Sequence, residues 1–286
     1  KHARIFFSIT AVVLIVGIVS MFARGFNLGI DFTGGSILDI KFDQPVTVAQ
    51  VRTVLSDHQL GSSVIQLGSS DQQVESSQSV LIRTGLISDS QRVDVMNDLS
   101  NRLGHNEVLR VENVGATVGG DLVKSAVGAV VLSWVLMIIY ITIRFELRFA
   151  LAAIVALIID VMVTLTWFSV LHLEIDSSFV AALLTVVGYS VNGTIVVFDR
   201  IRENLHTHRR NESMGELVDA SIWQTMTRSV YTTLTTLFAV VAIFLFGGET
   251  IHNFSFAMLV GFCSGFYTST FLAGSMWLFF RKKLKR

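Results

Sequence analysis

Residues 149–171 read FALAAIVALIIDVMVTLTWFSVL, an apolar run with a single charged side chain, Asp160, near its centre. About 20 consecutive apolar residues cross the hydrocarbon core of a bilayer as a helix. A carboxylate at that depth costs roughly 2.5–3.5 kcal/mol on insertion scales, so it usually faces the interior of a bundle. The run therefore predicts a transmembrane helix that packs inside other helices.

The rest of the chain has the composition of a membrane protein. Of its residues, 51% are hydrophobic and 15% are charged, whereas a typical soluble domain carries about 25% charged residues. Further apolar runs of spanning length occur at 5–23, 125–143, 178–198, 222–246 and 254–280. We therefore expect a polytopic α-helical membrane protein with six transmembrane helices. The net charge of zero argues against a nucleic-acid partner.

The distribution of Lys and Arg predicts the orientation. The short connectors 172–177 and 247–253 carry neither residue. The opposite side carries Lys1, Arg4, Arg144, Arg148, Arg200, Arg202, Arg209, Arg210, Arg281, Lys282, Lys283, Lys285 and Arg286. Because cytoplasmic loops are enriched in these cations, both termini are expected in the cytoplasm. The chain then divides into a first transmembrane helix (1–23), an extracytoplasmic α+β domain (24–120) and a five-helix transmembrane bundle (121–286).

The long insert after the first span has the pattern of a small α/β unit. Leu38, Ile40 and Phe42 alternate with polar residues, the period of a strand. Short apolar runs at 64–67, 80–83 and 108–111 predict further strands, and Thr47 and Ser88 are candidate helix caps. The order βαββαβ predicts a ferredoxin-like fold. His58 and His105 are interpreted as isolated surface side chains, so we expect a binding or lever module without catalytic residues.

Two charged residues inside the spans are candidates for function. Asp160 in the third span suggests an ion or proton route, with a purely structural hydrogen-bonding role as the alternative. Arg228 lies roughly 9 Å into the fifth span at 1.5 Å per residue. Polar residues surround it at helical spacing: Thr225, Ser229, Thr232 and Thr236. This polar face indicates that the interior of the bundle contains water. The alternative is that the arginine snorkels to the lipid headgroups.

The fourth span contains an unusual polar stretch, GYSVNGT at 188–194. Glycine weakens a helix interior by about 1 kcal/mol, and Asn192 and Gly193 lie at the same estimated depth as Arg228. Close helix packing through small residues is the alternative explanation. That explanation is preferred for the last span, whose small residues recur every four positions and include Gly261 and Gly265.

Four motifs in order resemble those of the SecD/SecF family of bacterial protein-export membrane proteins, in the RND superfamily, and particularly its SecF members. They are GIDFTGG at 29–35, VGATVGG at 114–120, GYSVNGTIVVFDRIRE at 188–203 and FGG at 246–248. The residues that carry the family pattern are Asp31, Phe32, Thr33, Gly34, Gly35, Gly188, Arg200 and Arg202. The resemblance covers essentially the whole chain.

The resemblance implies an accessory subunit of the Sec translocase in the bacterial inner membrane. Such a subunit works with SecD and uses the proton-motive force to help preproteins leave the SecYEG channel at the outer face. Its partners would be SecD, SecYEG, the preprotein, lipid and protons, without a cofactor, a metal or a catalytic residue. The proton pathway would involve Asp160, Arg228, Asn192, Gly193, Tyr189, Ser190, Thr194, Asp199 and Thr232.

The chain departs from the family pattern at three positions. Ala116 stands where the family usually has Pro, Ile159 where it often has His, and Gly193 where it usually has Asp. The last departure removes the expected partner of Arg228, and an unpaired buried cation is costly. Asp160 would then take over the arginine, water would enter beside Gly193, or Arg228 would move outward. We expect this chain to fold and to bind SecD, but with impaired proton-coupled export.

Three alternative functions can be compared with the sequence. A non-motor scaffold of the translocon stays open, and Gly193 favours it. A substrate–proton antiporter of the same superfamily normally has twelve spans, twice the number in this chain. An intramembrane protease is excluded, because Asp160 has no second mid-membrane Asp and no His lies in a span.

Overall fold

The computed structural model describes residues 3–68, 76–207, 213–248 and 251–283. Lys1, Arg209, Arg210, Lys285 and Arg286, which the sequence assigns to the cytoplasmic side, lie outside these residues. In chain order the elements are α1 (Ala3–Arg24), β1 (Asn27–Leu28), α2 (Ile30–Thr33), β2 (Gly35–Val46), α3 (Val48–Asp57), β3 (Val64–Leu67), β4 (Ser77–Thr84), α4 (Asp89–Leu103), β5 (Asn106–Val114), α5 (Ala116–Arg144), α6 (Leu147–Leu171), β6 (Glu174–Ile175), α7 (Ser177–His206), α8 (Met214–Phe246), α9 (His252–Tyr267), a π-helical turn (Thr268–Leu272) and α10 (Ala273–Lys283).

The described residues include six helices that are long and apolar enough to cross a membrane, which confirms the predicted number of spans. They are α1, α5, α6, α7, α8 and a last span formed by α9, the π-helical turn and α10. The chain divides into two compact units, one formed by Lys1–Asn27 with Ala126–Arg286 and the other by Leu28–Ser125.

Two helices extend well beyond their apolar runs because polar contacts continue them. In α7, Arg200 pairs with Glu203 one turn later at 2.9 Å, and Asn204 donates to Ser221 of α8 at 2.8 Å. The start of α8 is fixed by a capping box in which the Ser213 hydroxyl and the Glu216 side chain each bind the other's backbone N–H. These contacts explain why α7 runs on to His206 and α8 begins at Met214.

The core of the helical unit lies around α6 and the last span. Of their central apolar stretches 61% is buried, compared with 6% for α5 and 11% for α8. Phe149 of α6 stacks on Trp277 of α10 and contacts Phe198 of α7, with ring centroids 4.9 Å apart in both pairs. Aromatic pairs of this kind add about 0.5–1.5 kcal/mol to the energy of burial. The third and last spans therefore form the interior of this unit; for the third span, the position of Asp160 in the sequence predicted this.

Helices α7 and α9 approach closely through the glycines of the last span. A Cβ atom built on Gly261 would lie 2.2 Å from Val186 Cγ2, and one on Gly265 would lie 3.0 Å from Ser190 Cβ. The four-residue spacing predicted that these small residues let another helix approach closely, and α7 is the helix that lies against them. Helix α7 itself continues without interruption through Gly188 and Gly193, so its glycines do not break it.

The second unit contains a four-stranded antiparallel sheet in the order β3-β4-β2-β5. Leu38 at its centre lies opposite Ile82 on one side and Val111 on the other. Side chains of β2 and β4 are buried against α3 and α4 in one core: Leu38, Ile40, Phe42, Val80, Ile82, Val51, Leu55, Val95 and Leu99. The predicted caps at Thr47 and Ser88 both form complete capping boxes.

One prediction for this unit was wrong. His58 is not isolated: its Nε2 lies 3.1 Å from Asp98 Oδ2, and both side chains are 27% exposed. Arg102 joins the same group, with Nη1 2.6 Å from Asp57 Oδ2. The hydrogen bond that Arg102 donates to Asp57 and the negative charge of Asp98 raise the pKa of the Arg102 guanidinium. These contacts join α3 to α4, and pattern analysis missed them because they depend on how the two helices are rotated.

The glycine pair that follows α2 has a steric role at the start of β2. Gly34 and Gly35 have φ values of +74° and +138°, which side chains disfavour. A Cβ on Gly35 would lie 2.5 Å from the carbonyl oxygen of Thr84 on the paired strand. Glycine at 35 therefore allows β2 to enter the sheet beside β4.

We expect Gly261→Ala to destabilise the helical unit by about 1–3 kcal/mol, because the added methyl group overlaps Val186 and forces α7 and α9 apart. Thermal unfolding of the purified protein in detergent measures this loss. Gly188→Ala is the matched control, because a Cβ there meets nothing within 4 Å and alanine favours a helix by about 1 kcal/mol. Equal unfolding temperatures for the two variants would contradict the proposed close contact.

Candidate functional site

Asp160 lies at the centre of the helical unit and is completely buried. Its carboxylate accepts hydrogen bonds from three hydroxyl groups on two other spans. Ser264 Oγ of α9 donates to Oδ1 at 2.6 Å. Thr268 Oγ1, the first residue of the π-helical turn, lies 2.9 Å from Oδ1 and 3.0 Å from Oδ2. Ser190 Oγ of α7 donates to Oδ2. We call Ser190, Ser264 and Thr268 the hydroxyl cage.

The hydroxyl cage suits a carboxyl group that changes its protonation state. Burying an ionised carboxylate is costly unless hydrogen bonds replace the lost water, and three O–H donors provide that replacement. A hydroxyl group can also accept a hydrogen bond, so the same three residues can serve a protonated Asp160 after one of them rotates. The site can therefore hold Asp160 in its ionised or its protonated form without a neighbouring charged side chain.

Ser264 and Thr268 lie four residues apart, a spacing that places both on the same face of the last span, and a π-helical turn starts at the second of them. Such turns contain an extra residue and often lie at functional sites. Thr268 begins the turn, and its hydroxyl also lies 3.3 Å from the Gly265 carbonyl oxygen. The Thr164 hydroxyl, one turn after Asp160 on α6, donates to the Asp160 carbonyl oxygen at 2.9 Å. The Thr268 and Thr164 hydroxyl groups thus also contact backbone carbonyl oxygens of their own helices.

A cavity of about 60 Å³ lies beside the hydroxyl cage. Its lining residues are Tyr189, Asn192, Gly193, Val196, Arg228, Ser229, Thr232, Thr233, Gly265, Phe266 and Ser269. We call it the Gly193 cavity. A water molecule needs about 10–15 Å³ of such space and two to four polar partners, so this cavity has room for water.

The Gly193 cavity is close to the hydroxyl cage along two helices. Gly265 lines the cavity and lies against Ser190, where its own Cβ would be 3.0 Å from Ser190 Cβ. Ser269, also in the lining, directly follows Thr268 in the chain. Ser190 and Thr268, which bind Asp160, therefore adjoin residues that line the cavity.

Arg228 lines the Gly193 cavity but does not reach Asp160. Among the residues that the structure describes, its guanidinium has no hydrogen bond or ion pair, whereas its carbonyl oxygen accepts from Thr232 at 2.8 Å. Of the three outcomes that the sequence left open for the arginine, pairing with Asp160 is not observed, because the hydroxyl cage already occupies that carboxylate. Arg228 is instead exposed.

The structure brings together most, but not all, of the residues expected in the pathway. Tyr189, Asn192, Gly193, Arg228 and Thr232 line the cavity, and Ser190 binds Asp160. Thr194 is buried outside the lining, and its hydroxyl has no partner within the described part of the chain.

Residues at the end of α7 lie apart from this site. Asp199 is exposed and does not line the cavity. Arg200 pairs with Glu203, and Arg202 donates to the Arg144 carbonyl oxygen at 3.1 Å and lies over the Phe145 ring. The motif residues Asp31, Phe32 and Thr33 form α2 in the other unit.

Ser264 and Thr268 are site residues that the sequence pattern did not indicate. The available signal was the hydroxyl-rich run in an otherwise apolar span, with Ser264, Thr268, Ser269 and Thr270. In residues 3–68, 76–207, 213–248 and 251–283, no three His, Cys, Asp or Glu side chains converge as metal ligands. The polar chemistry of the described site is that of one carboxylate, one guanidinium, an amide and several hydroxyl groups.

The fold and the site define a class: an integral membrane protein of six spans that surrounds a buried, hydroxyl-bound carboxylate. Two family models match the chain. The model of the C-terminal part of the protein-export membrane proteins SecD/SecF matches residues 95–283, and that of the SecD/SecF GG motif matches residues 19–46. The chain belongs to the SecD/SecF family.

Individual relatives agree with this assignment. The chain is 39% identical to the protein translocase subunit SecF of Sebaldella termitidis, over 96% of this chain and 89% of the relative. It is 38% identical to SecF of Haemophilus influenzae, over 96% and 82% of the two chains. A crystal structure of SecDF from Thermus thermophilus superposes with a TM-score of 0.88 at 33% identity, over 98% of this chain but only 38% of the SecDF chain.

We expect Asp160→Leu to destabilise the helical unit more than Asp160→Asn. Leucine leaves three buried hydroxyl groups without their acceptor, at about 1–3 kcal/mol for each group left unsatisfied, whereas asparagine keeps one acceptor oxygen. Thermal unfolding in detergent gives the order. Asp199→Asn, on the exposed end of α7, is the control and should remain within about 0.5 kcal/mol of the parent. Equal stability of the leucine and asparagine variants would show that the hydroxyl cage does not depend on Asp160.

Proposed function

We propose that this chain is an accessory subunit of the Sec protein translocase. With SecD, it uses the proton-motive force to promote preprotein translocation and release at the outer face of the membrane. Its relatives are named protein translocase subunit SecF, and the SecDF of Thermus thermophilus is described as a translocon-associated membrane protein. Because this chain spans 38% of that SecDF, a SecD partner, separate or fused, would supply the remainder. SecYEG, the preprotein and lipid complete the proposed set of partners.

The observation that carries the proposal is the hydroxyl cage around Asp160. A proton that arrives at a carboxylate oxygen turns one hydrogen-bond acceptor into a donor. At least one hydroxyl group of the cage must then rotate or withdraw. Since Ser190 belongs to α7, and Ser264 and Thr268 to the last span, protonation changes the contact of α6 with both helices. This is a direct way to convert proton binding into helix movement.

The Gly193 cavity would supply the proton. Ser190 donates to Asp160 and lies against Gly265 of the cavity lining, so it would accept a proton from water in the cavity and donate its own to Asp160. Tyr189 would hold the cavity open, because its hydroxyl donates to Thr233 of α8 at 3.0 Å. Arg228 and Asn192 would set the electrostatic potential in which the water lies.

The proposal includes the orientation of the chain in the membrane. Both termini lie in the cytoplasm of a bacterial cell, the membrane is the inner membrane, and residues 24–120 form the extracytoplasmic domain between a first helix in 1–23 and a bundle in 121–286. A ferredoxin-like fold for that domain is supported by the strand order β3-β4-β2-β5 and by the position of α3 and α4 on one sheet face. Such a domain offers a binding or lever surface.

A second candidate function is a non-motor scaffold of the translocon. Gly193 favours it, because no Asp or Glu lines the cavity where Arg228 ends. The two functions differ in whether export depends on Asp160 and on the proton gradient.

We expect Asp160→Asn to abolish the part of preprotein export that an uncoupler removes, because the amide cannot take up a proton at this site. Export into inverted membrane vesicles that contain this chain with SecD, measured with and without uncoupler, tests it. Asp199→Asn is the control and should export normally. Unchanged, uncoupler-sensitive export in the Asp160→Asn protein would exclude Asp160 as the proton-binding group, whereas export that never depends on the uncoupler would favour the scaffold.

We expect Gly193→Asp to increase uncoupler-sensitive export severalfold, because it places a second proton-binding carboxylate beside Arg228. The new Cβ would lie 3.0 Å from Ser269 Oγ, a contact that rotation of the serine relieves. Gly193→Ala adds the same Cβ without the carboxylate and is the matched control. The same vesicle assay measures both variants, and equal gains in the two would attribute the effect to packing.

A further inference from the structure

We propose that Tyr267 is a positioning residue that transmits the protonation state of Asp160 to α1, the helix that leads into the second unit. This rests on the proposed function, because proton binding at Asp160 is the input. What it adds is the path by which that input leaves the site.

Helix α1 is attached to the helical unit at two places. Of its residues Ala3–Arg24, two are buried, Thr10 and Gly17. The Thr10 hydroxyl lies 3.3 Å from the Tyr267 hydroxyl of the last span. Gly17 lies against α6, where a Cβ atom on this glycine would overlap the Thr166 side chain. The two buried positions therefore mark contacts with two different helices.

Tyr267 attaches the first half of α1 to the last span. Its hydroxyl donates to the Phe6 carbonyl oxygen at 2.8 Å, and its ring lies edge-on to the Phe6 ring, with centroids 5.9 Å apart. Phe6 also stacks on Phe271, with centroids 4.4 Å apart. Tyr267 directly precedes Thr268, and Phe271 belongs to the π-helical turn that Thr268 begins. The segment that holds the first half of α1 is therefore the segment that binds Asp160.

The second half of α1 is attached to α6, the helix that carries Asp160. Ser20 Oγ lies 2.9 Å from Ser169 Oγ, and Arg24 donates to the Val170 carbonyl oxygen at 3.1 Å. Helix α1 therefore joins the same two helices, α6 and the last span, that Asp160 joins through its hydrogen bonds.

A change at Asp160 would consequently displace α1. Protonation alters the hydrogen bonds of Asp160 with Ser264 and Thr268, and so the position of the last span against α6. Since α1 is attached to both, it keeps both sets of contacts only if it tilts or slides, and shifts of about 1–2 Å are typical of packed helices. The hydrogen bond of Tyr267 is directional, so it makes α1 follow the last span. The second unit begins at Leu28, four residues after α1 ends, and the chain itself would carry the movement there.

A double-mutant cycle on a measured distance tests this path. Spin labels are attached at Phe22→Cys of α1 and Phe279→Cys of α10, whose side chains are exposed, after Cys263→Ala removes the single native cysteine. Asp160→Asn provides a site that is permanently neutral. In the purified chain in lipid nanodiscs, we expect Asp160→Asn to shift the distance between the labels by about 1–2 Å, as measured by double electron–electron resonance.

The tyrosine variants identify the path. Tyr267→Phe removes the hydroxyl alone and keeps the ring, so in this background Asp160→Asn should shift the distance at least about twofold less. Tyr231→Phe removes the hydroxyl of an exposed tyrosine on α8. It is the matched control and should leave the full shift. If Asp160→Asn does not fold, Thr268→Val, which removes one donor of the hydroxyl cage, takes its place in the cycle.

Two results would overturn the proposal. One is a distance that neither Asp160→Asn nor Thr268→Val changes in the parent chain. The other is an equal shift with and without the Tyr267 hydroxyl, which would leave Tyr267 a structural role that lowers the unfolding temperature alone. The distances are measured without SecD, preprotein or a proton gradient. Failure here is therefore separate from failure of the proposed function, which the export assay decides.

Discussion

The contact between Asp160 and its three hydroxyl donors determines how the helical unit is assembled. A carboxylate in the middle of a span must find hydrogen-bond donors inside the protein, since lipid provides none. Ser190, Ser264 and Thr268 satisfy it only if α7 and the last span lie against α6 in one particular rotation. The need to satisfy this one polar group therefore restricts how these three helices can be arranged.

Small residues make that arrangement sterically possible. Ser190 of α7 donates to Asp160. Gly261 and Gly265 of α9 have no side chains, so α7 can approach closely enough for this contact. Because apolar association gains little in lipid, close backbone approach and interhelical hydrogen bonds are the main sources of stability there. The glycines and the hydroxyl cage are thus two parts of one interface, and loss of either weakens the other.

The sequence predicted those features that depend on local pattern. The number of spans, the interior position of Asp160, the close packing of the last span and the helix caps at Thr47 and Ser88 follow from periodicity and from neighbouring residues. The partners of Asp160 could not be predicted, because Ser264 and Thr268 lie about a hundred positions away in sequence and become neighbours only through helix rotation. The pairing of His58 with Asp98 was missed for the same reason.

Helix α5 is the least buried of the described spans. Only 6% of its central stretch is buried, so contacts of α5 with the rest of this chain contribute little to the free energy of folding. Insertion of a helix into the bilayer and its later association are separable stages of membrane-protein folding. The stability of α5 therefore comes mainly from its insertion into the bilayer. Its final position depends on the lipid or protein that contacts it there. Along α5, this chain therefore constrains the hydrophobicity of the helix more than the identity of each side chain.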